Sequence, residues 1–156
     1  MKNFLLLILS FLAFSCTSEA PKQVDLLLHN AFVVDVQNDR VLKDKLVAIS
    51  GDRIVAVDDM KNRDAFQSDK VLDLAGQYVM PGLWDNHVHF RGGEELIEEN
   101  KDLLPLFVQF GVTTVRDAGG DMTPAVMEWK KKIASGELLG PRIFTSGPKL
   151  DGSRPA

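Results

Sequence analysis

Cysteine is almost absent from this chain, because Cys16 is the only one among its 156 residues. A lone cysteine cannot form a disulfide within the chain, which excludes the small disulfide-stabilised folds. Positive charge is not in excess either: the net charge at pH 7 is −4, and no basic stripe interrupts that balance. Nucleic-acid-binding surfaces depend on such a stripe, so we expect no nucleic-acid partner.

The apolar run at the N-terminus is too short to cross a membrane. It extends from Phe4 to Phe14 and has 11 residues, whereas a spanning helix needs about 20. With Lys2 in front of it, the run is typical of an export signal peptide, which we place at residues 1–15. The sequence LAFSC then ends at Cys16 and resembles a bacterial lipoprotein box, so Cys16 is a candidate lipidation site.

These N-terminal features predict an exported protein of the cell envelope, attached to a membrane only through an N-terminal lipid. Ala13 and Ser15 also fit a plain signal-peptidase site, and this alternative predicts a periplasmic or secreted protein. Residues 16–23 follow as a short polar tether.

Residues 24–79 carry the pattern of a small all-β unit. Two segments rich in β-branched residues are typical of strands, VDLLLHNAFVVDV and KLVAISGDRIVAV. In the second segment Gly51 lies between two apolar runs, which predicts a hairpin turn there. We expect MKNRDAFQSD to be a polar connector and KVLDLAGQYVMPG to add one or two short strands.

Residues 80–156 alternate between strand and helix patterns, which implies a parallel sheet with helical crossovers. The predicted strands lie in WDNHVHF, VTTVRD and PRIFTSG. Between the first two, EELIEENKDLLPLFVQFG is helical in pattern, and Pro105 predicts a kink or two helical pieces. The second helix is predicted in TPAVMEWKKKIASG, with Thr123 as its N-cap and Gly136 at its end. Glu128 and Lys132 are spaced to form an ion pair on this helix.

Histidine is scarce, with 3 in the chain, yet His87 and His89 stand one residue apart. Side chains two apart on a strand point to the same face, so these two rings can aim at one point. Neutral histidine is the commonest metal ligand, and catalytic groups of parallel barrels gather at the C-terminal ends of strands. We therefore predict that His87 and His89 bind a divalent metal. Asp85 shares their spacing and is a candidate to orient one ring by accepting its hydrogen bond.

The segment DLAGQYVMPGLWDNHVHF resembles the signature of the metal-dependent amidohydrolase superfamily. Two further segments, DLLLHNAFVVD and LVAISGDRIVAV, resemble the N-terminal β-sandwich strands of this family. The segment GVTTVRDAGG resembles its second barrel strand, and GPRIFTSGPKLDG resembles the third. The second-strand segment is similar to the imidazolonepropionase-like and prolidase-like branch in particular. The resemblance implies an α/β fold: the N-terminal part of a (β/α)8 TIM barrel, preceded by part of a small β-sandwich and incomplete as given.

By the same resemblance, His87 and His89 match the first-strand metal ligands of the family. The family completes its site with a carboxylated lysine or glutamate, two further histidines and an aspartate from later strands, none of which can be assigned here. One or two divalent metals, usually zinc, generate hydroxide from a bound water. This hydroxide attacks an amide, cyclic amide or dipeptide carbonyl, which implies a small-molecule or dipeptide substrate. The oligomeric state is left open.

Five other side chains are singled out by position or chemistry. Arg116 and Asp117, at the end of the second predicted barrel strand, are candidates for the rim of the pocket. An ion pair between them that braces a loop is the alternative. His29 lies in a predicted sandwich strand and is expected to be structural, and Trp84 is expected to pack rather than to bind a ligand. The same expectation holds for Trp129.

The length of the chain leads to an expectation about its completeness. A closed eight-stranded barrel needs about 250 residues, so we expect the N-terminal fragment of a longer enzyme, inactive and unstable alone. Two histidines also fall short of the three protein ligands usual for catalytic zinc. The alternative function is a non-catalytic envelope lipoprotein that uses the fold for binding.

Overall fold

The computed structural model describes residues 20–148. The expected signal peptide, Cys16 and residues 149–152 of the third predicted barrel segment therefore lie outside the described residues. The chain separates into two units between Met80 and Pro81, the first almost entirely β and the second alternating strands with helices. The mixed α/β character predicted from the sequence is confirmed, whereas the barrel, the sandwich and the domain limits at 24–79 and 80–156 stay predictions.

The first unit is organised around a mixed sheet with three antiparallel strands. Its strands are β1 (Lys22–Gln23), β2 (Leu26–Asp35), β3 (Arg40–Ser50), β4 (Arg53–Asp59), β5 (Phe66–Gln67), β6 (Val71–Asp73) and β7 (Tyr78–Val79). Strands β2, β3 and β4 pair in sequence order, and β6 and β7 both pair with β2 in parallel orientation. One buried core cluster of this unit consists of Val24, Leu27, Leu46 and Ala48.

The hairpin predicted at Gly51 is confirmed. This glycine connects β3 to β4 with φ +57°, a left-handed conformation that costs glycine little. The expectation of a plain connector at residues 60–69 is wrong. Met60–Ala65 forms a 3-10 helix, and β5 pairs in parallel with β1. The half-buried Phe66 of β5 packs against the core, so burial of its ring accounts for the extra strand.

His29 lies in β2, within the first unit. Burial is the main cause that lowers its pKa, the positive charge of Arg63 lowers it further, and Asp73 opposes both. The ring atom Nε2 is buried and has no hydrogen-bond partner among the described residues. A neutral, half-buried ring is consistent with the expected structural role, which stays a prediction.

The second unit is a small parallel sheet covered by helices. Its strands are β8 (Leu83–Val88), β9 (Val112–Asp117) and β10 (Arg142–Thr145), and its helices are α1 (Ile97–Asp102), α2 (Leu104–Gln109) and α3 (Thr123–Ser135). A further 3-10 helix, Gly93–Leu96, precedes α1. The strand order is β10-β9-β8, and both pairings are parallel, as the alternation in the sequence predicts.

The helices of the second unit lie where the sequence pattern predicts them. The helical pattern breaks into α1 and α2 as expected from Pro105, which stands in the first turn of α2. Gly136 ends α3 with φ +78°. The N-cap prediction is wrong by one residue: Met122 is the N-cap, and the Thr123 hydroxyl donates instead to the Gly120 carbonyl at 2.8 Å. Among residues 20–148, no helix is both long and apolar enough to cross a bilayer.

The core of the second unit lies between the sheet and the helices. Its buried members are Phe90, Leu104, Val115, Met122, Val126, Trp129 and Ile143. Trp129 is 3% exposed and meets the Phe90 ring edge-to-face at 5.5 Å, so its expected packing role is confirmed. Trp84 is 60% exposed and stacks only on Phe144, with ring centroids 5.7 Å apart. The expectation that Trp84 packs rather than binds a ligand stays a prediction, because its described contact is with one other exposed aromatic ring.

Candidate metal site

His87, in β8, and His89, just after it, project from the face of the sheet that the helices do not cover. Val88 and Phe90 both pack into the helical core. Because side chains alternate along an extended segment, His87 and His89 point to the opposite face. Both residues are exposed. Trp84 and Phe144 stack on each other and are likewise exposed, so the open face carries both aromatic and imidazole groups.

The two imidazoles meet at their Nε2 atoms. These atoms are 3.0 Å apart, with ring centroids at 4.9 Å and an angle of 57° between the planes. A hydrogen bond at this distance needs one Nε2 atom as donor and the other as acceptor, and the tautomers of the rings decide which is which. Two nitrogen ligands of one tetrahedral zinc lie about 3.3 Å apart when each bond is about 2.0–2.1 Å. The pair therefore fits a shared cation with little side-chain movement.

Arg91 contacts the pair from the other side of His89, and the sequence analysis missed it. Its Nη2 atom lies 3.3 Å from His89 Nδ1. A guanidinium only donates, so Nδ1 accepts and a neutral His89 carries its proton on Nε2. A cation bound at both Nε2 atoms thus requires His89 to exchange its tautomer. The signal in the sequence was the spacing, since Arg91 stands two residues after His89 just as His89 stands two after His87.

Asp85 lies beside the histidines in sequence but bonds to backbone. Its Oδ1 atom accepts the His87 backbone N–H at 3.0 Å, a local turn interaction that carboxylates favour. The register of β8 on β9 also shifts between Asp85 and Val88. Because of this irregularity, spacing alone does not place the carboxylate beside the rings. Among the described residues, Asp85 makes no hydrogen bond to an imidazole, and its role in orienting one stays a prediction.

Asp117 and Arg116 point to opposite faces of β9. The structure corrects the rim assignment for Asp117, which is 0% exposed. Its Oδ1 accepts the backbone N–H groups of Phe90 at 3.4 Å and Gly119 at 3.1 Å, and its Oδ2 accepts the Thr145 hydroxyl at 3.2 Å. Within residues 20–148 the alternative ion pair between Arg116 and Asp117 is not formed, because adjacent strand residues diverge. Arg116 is exposed and stays a candidate for the rim.

Gly119 brings the loop after β9 against the ring of His89, and no pattern in the sequence predicts this contact. A Cβ atom at this position would lie 3.0 Å from His89 Nδ1 and 3.6 Å from His89 Cβ. The loop backbone thus forms one wall around the His89 ring, and any side chain at position 119 would require that ring to shift.

Among the described residues, no third candidate ligand joins His87 and His89. Among residues 20–148, no group of three His, Cys, Asp or Glu side chains could hold one metal ion. Catalytic zinc normally uses three protein ligands and one water. His87 and His89 are therefore a partial site, able to hold a cation in common with ligands from elsewhere.

The chain is similar to several hydrolases, although it matches no protein-family model. It is 34% identical over 111 residues to a dihydroorotase of Methanothermobacter thermautotrophicus, which covers 68% of this chain and 25% of that enzyme. It is 40% identical over 68 residues to adenine deaminase 2 of Latilactobacillus sakei, which covers 44% of this chain and 11% of the relative.

The fold is similar to that of solved hydrolase structures. A prolidase crystallised with N-methylphosphonate-L-proline is 30% identical, with a TM-score of 0.67 over 78% of this chain and 31% of the prolidase. These relatives support the amidohydrolase superfamily. The chain spans only 11 to 25% of the curated relatives and 31% of the prolidase. These matches therefore do not establish the activity of the whole protein.

Proposed function

We propose that the full-length protein is a metal-dependent hydrolase of the amidohydrolase superfamily that breaks carbon–nitrogen bonds. The observation that carries the proposal is the 3.0 Å approach of the Nε2 atoms of His87 and His89. The relatives add support, because they are hydrolases of the amidohydrolase family, and prolidase and dihydroorotase are among them.

The proposal includes the fold of the complete protein. Three parallel strands, linked by helices that all contribute to one core, are what the opening of a (β/α)8 barrel requires. We propose that residues 80–156 begin such a barrel and that residues 24–79 belong to a small β-sandwich before it. The histidine pair stands at the C-terminal end of β8, the end at which barrel enzymes place their active sites.

His87 and His89 would hold a divalent cation, which we propose to be zinc, as one or two ions in the full-length protein. When bound, such a cation lowers the pKa of a water ligand and polarises a substrate carbonyl. The residues of this chain supply the geometry. His87 and His89 present their Nε2 atoms, and the wall at Gly119 limits the movement of the His89 ring.

The relatives indicate the size of the substrate, and the N-terminal sequence indicates the location of the protein. The relatives are named for small-molecule and dipeptide-type substrates, so we propose a substrate of that size. We also keep the proposal that the protein is exported and anchored by a lipid on Cys16, with simple cleavage and release as the alternative. Mass spectrometry of the mature N-terminus distinguishes the two.

The test of the proposed function uses the full-length protein and the double variant His87→Ala/His89→Ala. We expect the wild type to contain divalent metal and to hydrolyse members of a panel of amides, cyclic amides and dipeptides. The double variant should lose both properties. The third histidine provides the control, because His29→Gln removes an imidazole from the first unit and should change neither.

Two results would contradict the proposal. A double variant that keeps both its metal and its activity would remove His87 and His89 from the site. A wild-type protein that binds metal and small molecules but hydrolyses nothing across the panel would favour the non-catalytic binding lipoprotein.

A further inference from the structure

Asp117 stands out because it is buried without a charged partner. It is the only ionisable side chain among residues 20–148 that is fully buried, and it takes part in no ion pair. A buried carboxylate is costly unless hydrogen bonds replace its lost water. Its position therefore requires an explanation beyond the packing of an apolar core.

The carboxylate of Asp117 joins the C-terminal ends of all three strands of the second unit. From its own place at the end of β9, it accepts the Phe90 backbone N–H, just after β8, and the Thr145 hydroxyl in β10. It also accepts the backbone N–H of Gly119, in the loop after β9. Bonds to a charged acceptor are stronger than those between neutral groups. One side chain thus fixes three strand ends and one loop.

Two of these bonds reach the surroundings of His89 directly. Phe90 follows His89 in the chain, so the bond to its N–H restrains the backbone from which the imidazole projects. The bond to Gly119 holds the loop whose backbone lies against the ring, where an added Cβ would be 3.0 Å from His89 Nδ1. Asp117 therefore acts on both the base and the flank of the His89 side chain without touching the ring nitrogens.

We propose that Asp117 is a positioning residue that holds His89 in the orientation needed to bind metal together with His87. This inference rests on the proposed function, because it takes the histidine pair as the metal site. It assigns to the second barrel strand a role that neither the rim nor the ion-pair interpretation includes. Partners that orient metal ligands typically change metal affinity about 10- to 100-fold when they are removed.

The main test compares Asp117→Ala with Asp117→Asn in the full-length protein. Alanine leaves the N–H groups of Phe90 and Gly119 without their acceptor. Asparagine keeps a carbonyl oxygen for both of them, and its amide can donate to the Thr145 hydroxyl. We expect Asp117→Ala to bind zinc about 10- to 100-fold more weakly in competition with a chromophoric chelator. Asp117→Asn should stay close to the wild type.

Loss of stability alone could weaken metal binding, so a control variant is needed. Val126→Ala removes volume from the same core but lies in α3, away from the histidines. Its melting temperature and zinc affinity, measured together, show how much affinity is lost through destabilisation alone. The proposal requires Asp117→Ala to lose more zinc affinity than Val126→Ala does at a comparable melting temperature.

Gly119→Ala tests the same inference without removing the carboxylate. The backbone of Gly119 is not in the left-handed region, so alanine is compatible with its conformation. The added methyl group would press on His89 Nδ1 at 3.0 Å and displace the ring. We expect weaker zinc binding with little change in melting temperature. If Asp117→Ala does not fold, this variant still tests whether the loop that Asp117 holds controls the orientation of His89.

The outcomes separate this inference from the proposed function. If zinc binds to the wild type and is lost in His87→Ala/His89→Ala, but Asp117→Ala and Gly119→Ala bind it normally, the positioning role is wrong and the metal site stands. If the wild type binds no divalent metal, both proposals fail. Weak binding by Asp117→Ala and Gly119→Ala, with recovery in Asp117→Asn, supports the positioning role.

Discussion

The two units of this chain use histidine in opposite ways. In the first unit His29 is half-buried in a sheet, with a lowered pKa and a buried Nε2 that has no partner among the described residues. In the second unit His87 and His89 are exposed, and each Nε2 faces the other at 3.0 Å. The difference lies in the surroundings: a ring packed into a sheet loses water and access, whereas paired rings on an open face keep both.

The comparison extends to the packing of the two units. The first is made mainly of strands that are neighbours in sequence, joined by short turns. The second depends on contacts between distant segments, since β8, β9 and β10 are separated by helices. The C-terminal ends of β8, β9 and β10 come together in the second unit, and we therefore expect a site built from several strand ends there. The first unit provides hairpins, which can form from local sequence alone.

The largest expected effect comes from the core beneath the histidine strand. Leu104 is fully buried, where it contacts the helical layer of the second unit. Leu104→Ala should lower the free energy of unfolding by about 2–5 kcal/mol, because it removes buried methyl groups and leaves a cavity. Urea denaturation of the full-length protein measures this change. Leu103→Ala, at a position that is 47% exposed, is the control and should have a much smaller effect.

A smaller effect is expected at His29, and it should depend on pH. The pKa of His29 is lowered from its ordinary value of 6.5 in the folded state, so the unfolded chain takes up a proton more readily. Stability linked to this group is complete above about pH 6.5 and decreases as the pH falls below it. His29→Phe should flatten the decrease in melting temperature between pH 7.5 and pH 5.5 relative to the wild type. An unchanged pH profile would remove the distinction drawn between the two kinds of histidine.

The smallest effect is expected on the outer surface of α3. Glu128 and Lys132 form the ion pair predicted from their spacing. Its hydrogen bond lowers the pKa of Glu128 and raises that of Lys132. The ion pair therefore contributes its full stability between pH 4.5 and pH 10.5, the ordinary pKa values of the two groups. This stability is lost as the pH falls through the lowered pKa of Glu128 or rises through the raised pKa of Lys132. Glu128→Gln should lower the melting temperature slightly at pH 7 in low salt, and the difference should vanish in high salt.

Local sequence signals predicted much of the fold. Gly51 marked a turn that needs a positive φ, and Pro105 marked a break between two helices. Gly136 marked the end of α3. Each of these depends on the conformational preference of one residue, so no knowledge of distant contacts was required. The 3-10 helix and β5 between residues 60 and 67 were missed, because burial of Phe66 decides them and polar composition does not reveal it.

The candidate site was predicted only in part. The spacing of His87 and His89 correctly brought two rings together. The same spacing argument does not decide the role of Asp85, which stays a prediction, because the strand is irregular between Asp85 and Val88. The burial of Asp117 and the approach of Gly119 depend on contacts across the sheet. No pattern within a single segment carries that information.

The most direct test of the metal site is a crystal structure of the full-length protein with anomalous diffraction measured at the zinc absorption edge. The account predicts an anomalous peak about 2.0–2.1 Å from Nε2 of both His87 and His89. A fully loaded protein whose metal lies away from these two nitrogens would contradict it.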